Sequence, residues 1–323
     1  MDRSLIKKTF LDNYFKSSYK INSIPGDCSP RTYDRIFHKG NHFILMNAPI
    51  DLINLDPFIK IDNFLRDNDF LAPKIYQIDQ KNGFLLSEDF GNNSFNHILS
   101  KYHGNDLIIN ESNIYKYATD LLIKLHKINL DHIDLPEYNN DLLLQELQIF
   151  IDYYLKLIKK HNLSYLETED FKNIWLEIFD NLSDDRFLVL RDYHADNLFF
   201  LDNNKDHKKI GLIDFQDAVL GSRAYDMVSF LQDARRDVSK DIQKNMIDCY
   251  IKESNIDDQQ FIMDYNILSL QRNIKILGVF ARQGLEHNNI KYLNLIDRVM
   301  EYILPILDQK NIFNNLKLFL KWQ

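Results

Sequence analysis

The hydrophobic pattern of this chain is strand-rich in its first portion and helix-rich after it, and that contrast sets the fold class. Up to about residue 90 the apolar residues come in short runs and alternations. F-I-L-M (43–46) follows the turn-forming H-K-G-N and is stopped by N-A-P, while A-P-K-I-Y-Q-I-D (72–79) and G-F-L-L-S-E-D-F (83–90) make a second candidate strand pair. Residues 25–38 begin with turn formers and run into alternation, which pairs them with 43–46 as a hairpin. Two helices are expected in the same portion, over about residues 3–20 and 56–68. From Ser112 onward Ile114, Tyr117, Leu121, Leu122, Leu125 and Ile128 fall on one helical stripe, and helical spacing continues over 141–160, 169–180, 261–284 and 290–308. A strand-rich start and a helix-rich remainder predict an α+β, two-lobed enzyme: residues 1–90 as one lobe, 91–323 as the other, and a ligand cleft at 87–92 where they meet.

Composition removes several function classes. The formal net charge of -8 runs against a nucleic-acid binder, since tracking a phosphate backbone needs a basic excess. The two cysteines, Cys28 and Cys249, lie too far apart in sequence to suggest a disulfide framework or a metal cluster. The N-terminal stretch is charged and amphipathic, unlike a signal peptide, and no apolar run approaches the roughly 18 residues of a membrane helix. The expectation is a cytoplasmic protein with a small-molecule partner, no nucleic acid and no membrane.

The chemistry lies in residues 187–226. There L-F-F-L (198–201) and I-G-L-I (210–213) are short apolar runs joined by a polar connection, the pattern of a buried hairpin. The residue before the first strand and the residue after the second, Asn197 and Asp214, would sit side by side at its open end. Asp192 stands on the loop that feeds them. Mg²⁺ takes few protein oxygens and keeps its remaining positions for water and phosphate, so one amide and one carboxylate suit it. A second carboxylate aimed at an acceptor hydroxyl can orient it and take its proton.

The segments R-D-Y-H-A-D-N-L (191–198) and G-L-I-D-F-Q-D-A (211–218) resemble the catalytic loop and metal-binding segment of the aminoglycoside phosphotransferase and choline kinase superfamily, relatives of the protein kinases. The fuller pattern D-F-Q-D-A-V-L-G-S-R-A-Y-D-M-V-S-F-L-Q-D-A-R (214–235) is similar to the N-acetylmuramate/N-acetylglucosamine anomeric kinase group, as are G-D-C-S-P-R-T-Y (26–33), F-I-L-M-N-A-P (43–49) and F-L-L-S-E-D-F-G (84–91). The resemblance implies a protein-kinase-like fold, with a small antiparallel sheet lobe and a larger helical lobe, and an ATP- and Mg²⁺-dependent kinase acting on the anomeric hydroxyl of an amino sugar in cell-wall recycling. It implies Asp192 as catalytic base and Asn197 and Asp214 as metal ligands. Residues 87–91, with Ser87, Glu88 and Asp89, would meet the adenine, and the turn 25–31 would cover the phosphates through Ser29 and Arg31. Asp226 would brace the catalytic loop.

Two positions depart from the wider superfamily. Leu190 stands where many relatives have a histidine, and Met46 stands near the expected phosphate-binding lysine, with no glutamate on helix 56–68 to pair with one. Arg31 or Arg35 would then hold the α- and β-phosphates. On the acceptor side Gln216, Asp217 and Arg235 are the candidates. Alternatives are a kinase for an aminoglycoside, choline or another amino alcohol, and a non-catalytic nucleotide-binding regulatory module.

Overall fold

A computed structural model of the chain describes residues 2–25, 30–51, 53–101, 110–201, 206–309 and 311–321. The chain divides by its internal contacts into two units: Met1–His103 with Asp196–Asp217, and Gly104–Ala195 with Ala218–Gln323.

The first unit is built on a five-stranded antiparallel sheet. Helix α1 (Arg3–Phe15) starts at Asp2, whose carboxylate accepts the Ser4 N–H at 3.0 Å, and stops at Lys16, which turns left-handed with φ 51°. Strands β1 (Lys20–Ile24), β2 (Thr32–His38), β3 (Asn41–Asn47), β4 (Ile75–Asp79) and β5 (Phe84–Glu88) lie in the order β1-β2-β3-β5-β4, and helix α2 (Asp56–Asp67) precedes β4. Between His38 and its partner Asn41 only Lys39 and Gly40 remain, both at positive φ, the tight turn that suits strand twist. Phe10, Leu11 and Phe15 of α1 pack on Ile36, Leu45, Phe84 and Leu86 of the sheet, so alternate residues of β2, β3 and β5 close one core face. Helical spacing predicted α1 as far as about residue 20; the helix ends at Phe15, and Lys20–Ile24 is an edge strand. Nearly all of β1 is exposed, so it carries no buried alternation for a sequence pattern to detect.

The expected hairpin forms from Leu198–Phe200 and Ile210–Leu212, antiparallel, with Leu198 opposite Leu212. It belongs to the first unit. The Phe200 N–H donates to Asn93 O and the Leu212 N–H to Leu71 O, each at 2.8 Å. Gly211 is required there, because a Cβ would come within 2.6 Å of the Phe90 ring.

The second unit is helical. After the short α3 (Phe95–Lys101) of the first unit come α4 (Glu111–Leu125), α5 (Asn140–Ile149) running into a π-helical segment (Phe150–Ile158), α6 (Tyr165–Phe179), α7 (Ala224–Leu231), α8 (Lys240–Ser254), α9 (Asp258–Leu285) and α10 (Ile296–Leu307). Side-chain caps from Asn110, Asn139, Ser164, Ser239 and Asp257 open five of them. The 28-residue α9 runs through the core of this unit, with both polar and apolar residues buried. Gly278 lets its backbone lie against the π-helical segment, since a Cβ there would come within 2.5 Å of the Ile149 carbonyl and the Phe150 nitrogen. The strands Phe187–Val189 and Val219–Gly221 pair antiparallel and flank residues 190–218 in sequence. Helix α8 was not expected from the sequence, and it buries only Met246 and Tyr250. Among the described residues no helix is long and apolar enough to cross a membrane.

Candidate active site

The hairpin places the two expected metal ligands together. The Ile213 N–H donates to the Asn197 carbonyl at 3.2 Å, closing the ladder, and the Asn197 side-chain amide donates to Asp214 Oδ2 at 3.3 Å. Asp214 has φ 60°, a left-handed backbone that is uncommon outside glycine, held at the point where the chain leaves the strand. The next residue, Phe215, is fully buried and stacks on Phe58 of α2 at 5.2 Å, which anchors the turn. Gln216 Nε2 donates to Asp214 Oδ1 at 3.0 Å and to Asp217 Oδ2 at 3.2 Å, so Gln216 links the two carboxylates of this turn. Gln216 is buried and Asp217 exposed.

The donor set fits Mg²⁺: hard oxygens from one carboxylate and one amide, leaving most of the coordination sphere open. In this arrangement the Asn197 amide offers its nitrogen to Asp214. A cation shared by the two would be met by the amide oxygen instead, a half-turn about the terminal torsion.

Tyr33 of β2 joins this neighbourhood, and the sequence reading missed it. Burial pushes its phenol up to about 12; the Asp214 carboxylate adds to the rise and Arg31 draws it back. The available signal was spacing, since Arg31 and Tyr33 are two apart on extended chain and so share a face. Ser29 lies outside the described residues.

At the expected adenine segment, Ser87 is buried within β5, and the Glu88 N–H donates to Lys74 O at 2.8 Å while its carboxylate accepts the Lys74 N–H at 3.1 Å. Asp89 caps the Gly91 N–H at 2.8 Å and pairs with Arg35 at 2.6 Å. The Arg35 guanidinium also donates to Asn92 Oδ1 at 2.7 Å and to Gly91 O at 2.9 Å. Arg35 is therefore the tie of the 89–92 turn, and of the two arginines named for the phosphates, Arg31 is the one that shares with Asp214 an influence on the Tyr33 phenol. Met46, at the position expected for lysine, is buried in the sheet opposite Tyr33 and Leu85.

The helical unit holds the loop of Asp192, which is half-buried. Asp226, fully buried in the first turn of α7, accepts the backbone N–H groups of Leu190 at 2.7 Å and Arg191 at 2.9 Å. Burial pushes its carboxyl up to about 7, while those two hydrogen bonds favour the ionised form. His194 is buried, which lowers its pKa; Asp233 opposes that shift and Arg235 adds to it. Arg235, whose own N–H donates to Asp233 Oδ1 at 2.8 Å, thus shares the surroundings of His194. Leu190, at the superfamily's histidine position, is buried.

The profile of the phosphotransferase enzyme family matches residues 20–254. The chain belongs to that family. This phosphotransferase is 27% identical over 302 residues to the N-acetylmuramate/N-acetylglucosamine kinase of Pseudomonas putida, an alignment covering 90% of this chain and 84% of that one. Among solved structures it resembles a Plasmodium vivax ethanolamine kinase, with a TM-score of 0.64, 15% identity, and coverage of 93% of this chain and 86% of that one. It also resembles an ADP-bound aminoglycoside phosphotransferase, with a TM-score of 0.60, 17% identity, and coverage of 97% and 99%. The phosphotransferase therefore has the kinase-like α+β fold expected from its sequence, a small antiparallel sheet with a larger helical part.

Proposed function

We propose that this phosphotransferase uses Mg²⁺ and ATP to phosphorylate the anomeric hydroxyl of an N-acetylated amino sugar, N-acetylmuramate or N-acetylglucosamine, in the cytoplasm as a step of cell-wall recycling. The observation that carries the reading is the Asn197–Asp214 pair, an amide and a carboxylate 3.3 Å apart at the end of a buried hairpin. The likeness to the Pseudomonas putida kinase over most of both chains supports the acceptor class.

In this reading residues 1–90 serve the nucleotide and 91–323 the chemistry and the acceptor. Asn197 and Asp214 would hold Mg²⁺, which would neutralise charge on the β- and γ-phosphates. Arg31 faces the phosphates, and the 87–91 turn, tied by Arg35, meets the adenine. Asp192 orients the acceptor hydroxyl and takes its proton as the new oxygen–phosphorus bond forms and the bridge to the β-phosphate breaks, releasing ADP. Asp226 keeps the Asp192 loop in place without touching substrate. Gln216, Asp217 and Arg235 stand on the acceptor side.

The test is ADP release from Mg²⁺–ATP with a panel of amino sugars, aminoglycosides, choline and ethanolamine. Stimulation by N-acetylated amino sugars alone is the expected result. Stimulation by the cationic acceptors instead would replace the acceptor assignment.

A further inference from the structure

Within the helical unit, Glu146 on α5 gathers more polar partners than any function assigned so far explains. Its carboxylate accepts from Tyr138 Oη at 2.5 Å, Lys275 Nζ at 2.7 Å and Gln271 Nε2 at 3.2 Å, and it pairs with the guanidinium of Arg191. The side chain is 8% exposed. Burial alone would raise its pKa, but Lys275 and Arg191 outweigh that and hold it at about 2. Glu146 is therefore an anion throughout the working range of pH.

Arg191 immediately precedes Asp192, and its backbone is left-handed, φ 69°. For a residue with a Cβ that conformation is unfavourable, so something must hold it. Its N–H is held by Asp226 at 2.9 Å and its carbonyl accepts from Ser229 Oγ at 3.3 Å. Its side chain is held by Glu146 and lies against the Tyr138 ring, 5.5 Å from the centroid. Both backbone anchors come from α7, and Glu146 adds a third anchor, on the side chain, from α5. Leu190, one residue earlier, has an apolar side chain and is anchored through its backbone N–H on Asp226.

We infer that Glu146 is a positioning residue: through Arg191 it fixes the left-handed turn that delivers Asp192, while Tyr138 and Gln271 orient its carboxylate and Lys275 balances its charge. The inference rests on the reading of Asp192 as the base that faces the acceptor. Arg191 and Glu146 are 45 residues apart in sequence, so no local motif announces the pair.

The experiment compares Glu146→Gln with Asp264→Asn by hydrogen exchange and steady-state kinetics. Asp264 is a second buried carboxylate of the same unit; it accepts from Ser183, Ser222 and Gln260, none of which lies in the Asp192 loop. Glu146→Gln should raise amide exchange across residues 190–194 by on the order of tenfold, and lower turnover by on the order of 10–10²-fold with the Mg²⁺–ATP KM unchanged. Asp264→Asn should lower the melting temperature without either effect. Should Glu146→Gln fail to fold, Arg191→Lys, which keeps the charge and loses the planar fork, reads the same two quantities. Unchanged exchange at 190–194 in the folded variant overturns the inference, and so does the same local loosening in Asp264→Asn. Loosening with full turnover upholds the positioning role and removes the base assignment of Asp192 instead.

Discussion

The side-chain amide of Asn197 and the carboxylate of Asp214 meet at 3.3 Å, although sixteen residues of chain separate them in sequence. If this pair holds the cation that bridges the nucleotide phosphates, Asp214→Ala removes both Mg²⁺–ATP binding and turnover. Asp192→Asn behaves differently: nucleotide affinity stays near wild type, and turnover falls by on the order of 10²–10⁴-fold. Calorimetric titration with Mg²⁺–ATP and rates at saturating acceptor separate the two. Near-normal turnover in Asp192→Asn removes the base assignment. Loss of ATP binding in that variant, with the fold intact, means the two aspartates exchange roles.

Arg35 ties Asp89, Gly91 and Asn92 together, and Gly91 itself is at φ 83°. Arg35→Ala should loosen the 89–92 turn, raise the KM for Mg²⁺–ATP several-fold and leave turnover at saturating nucleotide near wild type. A large fall in turnover with an unchanged KM would place Arg35 at the phosphates after all.

Asp62 on α2 is 1% exposed, and neither of its carboxylate oxygens has a hydrogen-bond partner among the described residues. Burial pushes its carboxyl up to about 7; Arg66 pulls it down and Glu88 adds to the rise. The folded chain thus keeps this proton to near pH 7, whereas the unfolded chain releases it near 4, so between those values the folded state binds more protons and its stability falls as pH rises. Asp62→Asn removes that contribution and should gain on wild type by about 2–4 kcal/mol more at pH 8 than at pH 4. Urea denaturation at the two pH values checks it. A difference between wild type and variant that does not change with pH would show that Asp62 is ionised in the folded protein.

Much of this fold was legible because the strands and most helices bury one face and leave a periodic trace. The hairpin 198–212 was readable from two apolar runs, and its ends put Asn197 beside Asp214 without any long-range information. The placement of Asp226 under the loop was readable as well, since its position at the start of α7 follows from the family pattern. What the sequence concealed has two physical causes. Strand β1 and helix α8 are largely exposed, so burial leaves little imprint on them. Tyr33, Glu146, Lys275 and the tie made by Arg35 act through contacts between distant segments, where a charged or aromatic residue looks the same whether it is solvated or engaged. Asp62 is the converse case: it sits on the buried stripe of α2, a place where a helical pattern expects an apolar residue.

The most direct measurement is phosphorus NMR of the product formed from Mg²⁺–ATP and N-acetylmuramate or N-acetylglucosamine. The expected result is ADP together with a sugar phosphate whose phosphorus couples to the anomeric proton, absent when Asp192→Asn replaces the wild type. Phosphate on a different hydroxyl of the sugar, or transfer to choline, ethanolamine or an aminoglycoside with none to the amino sugars, would contradict the proposed function.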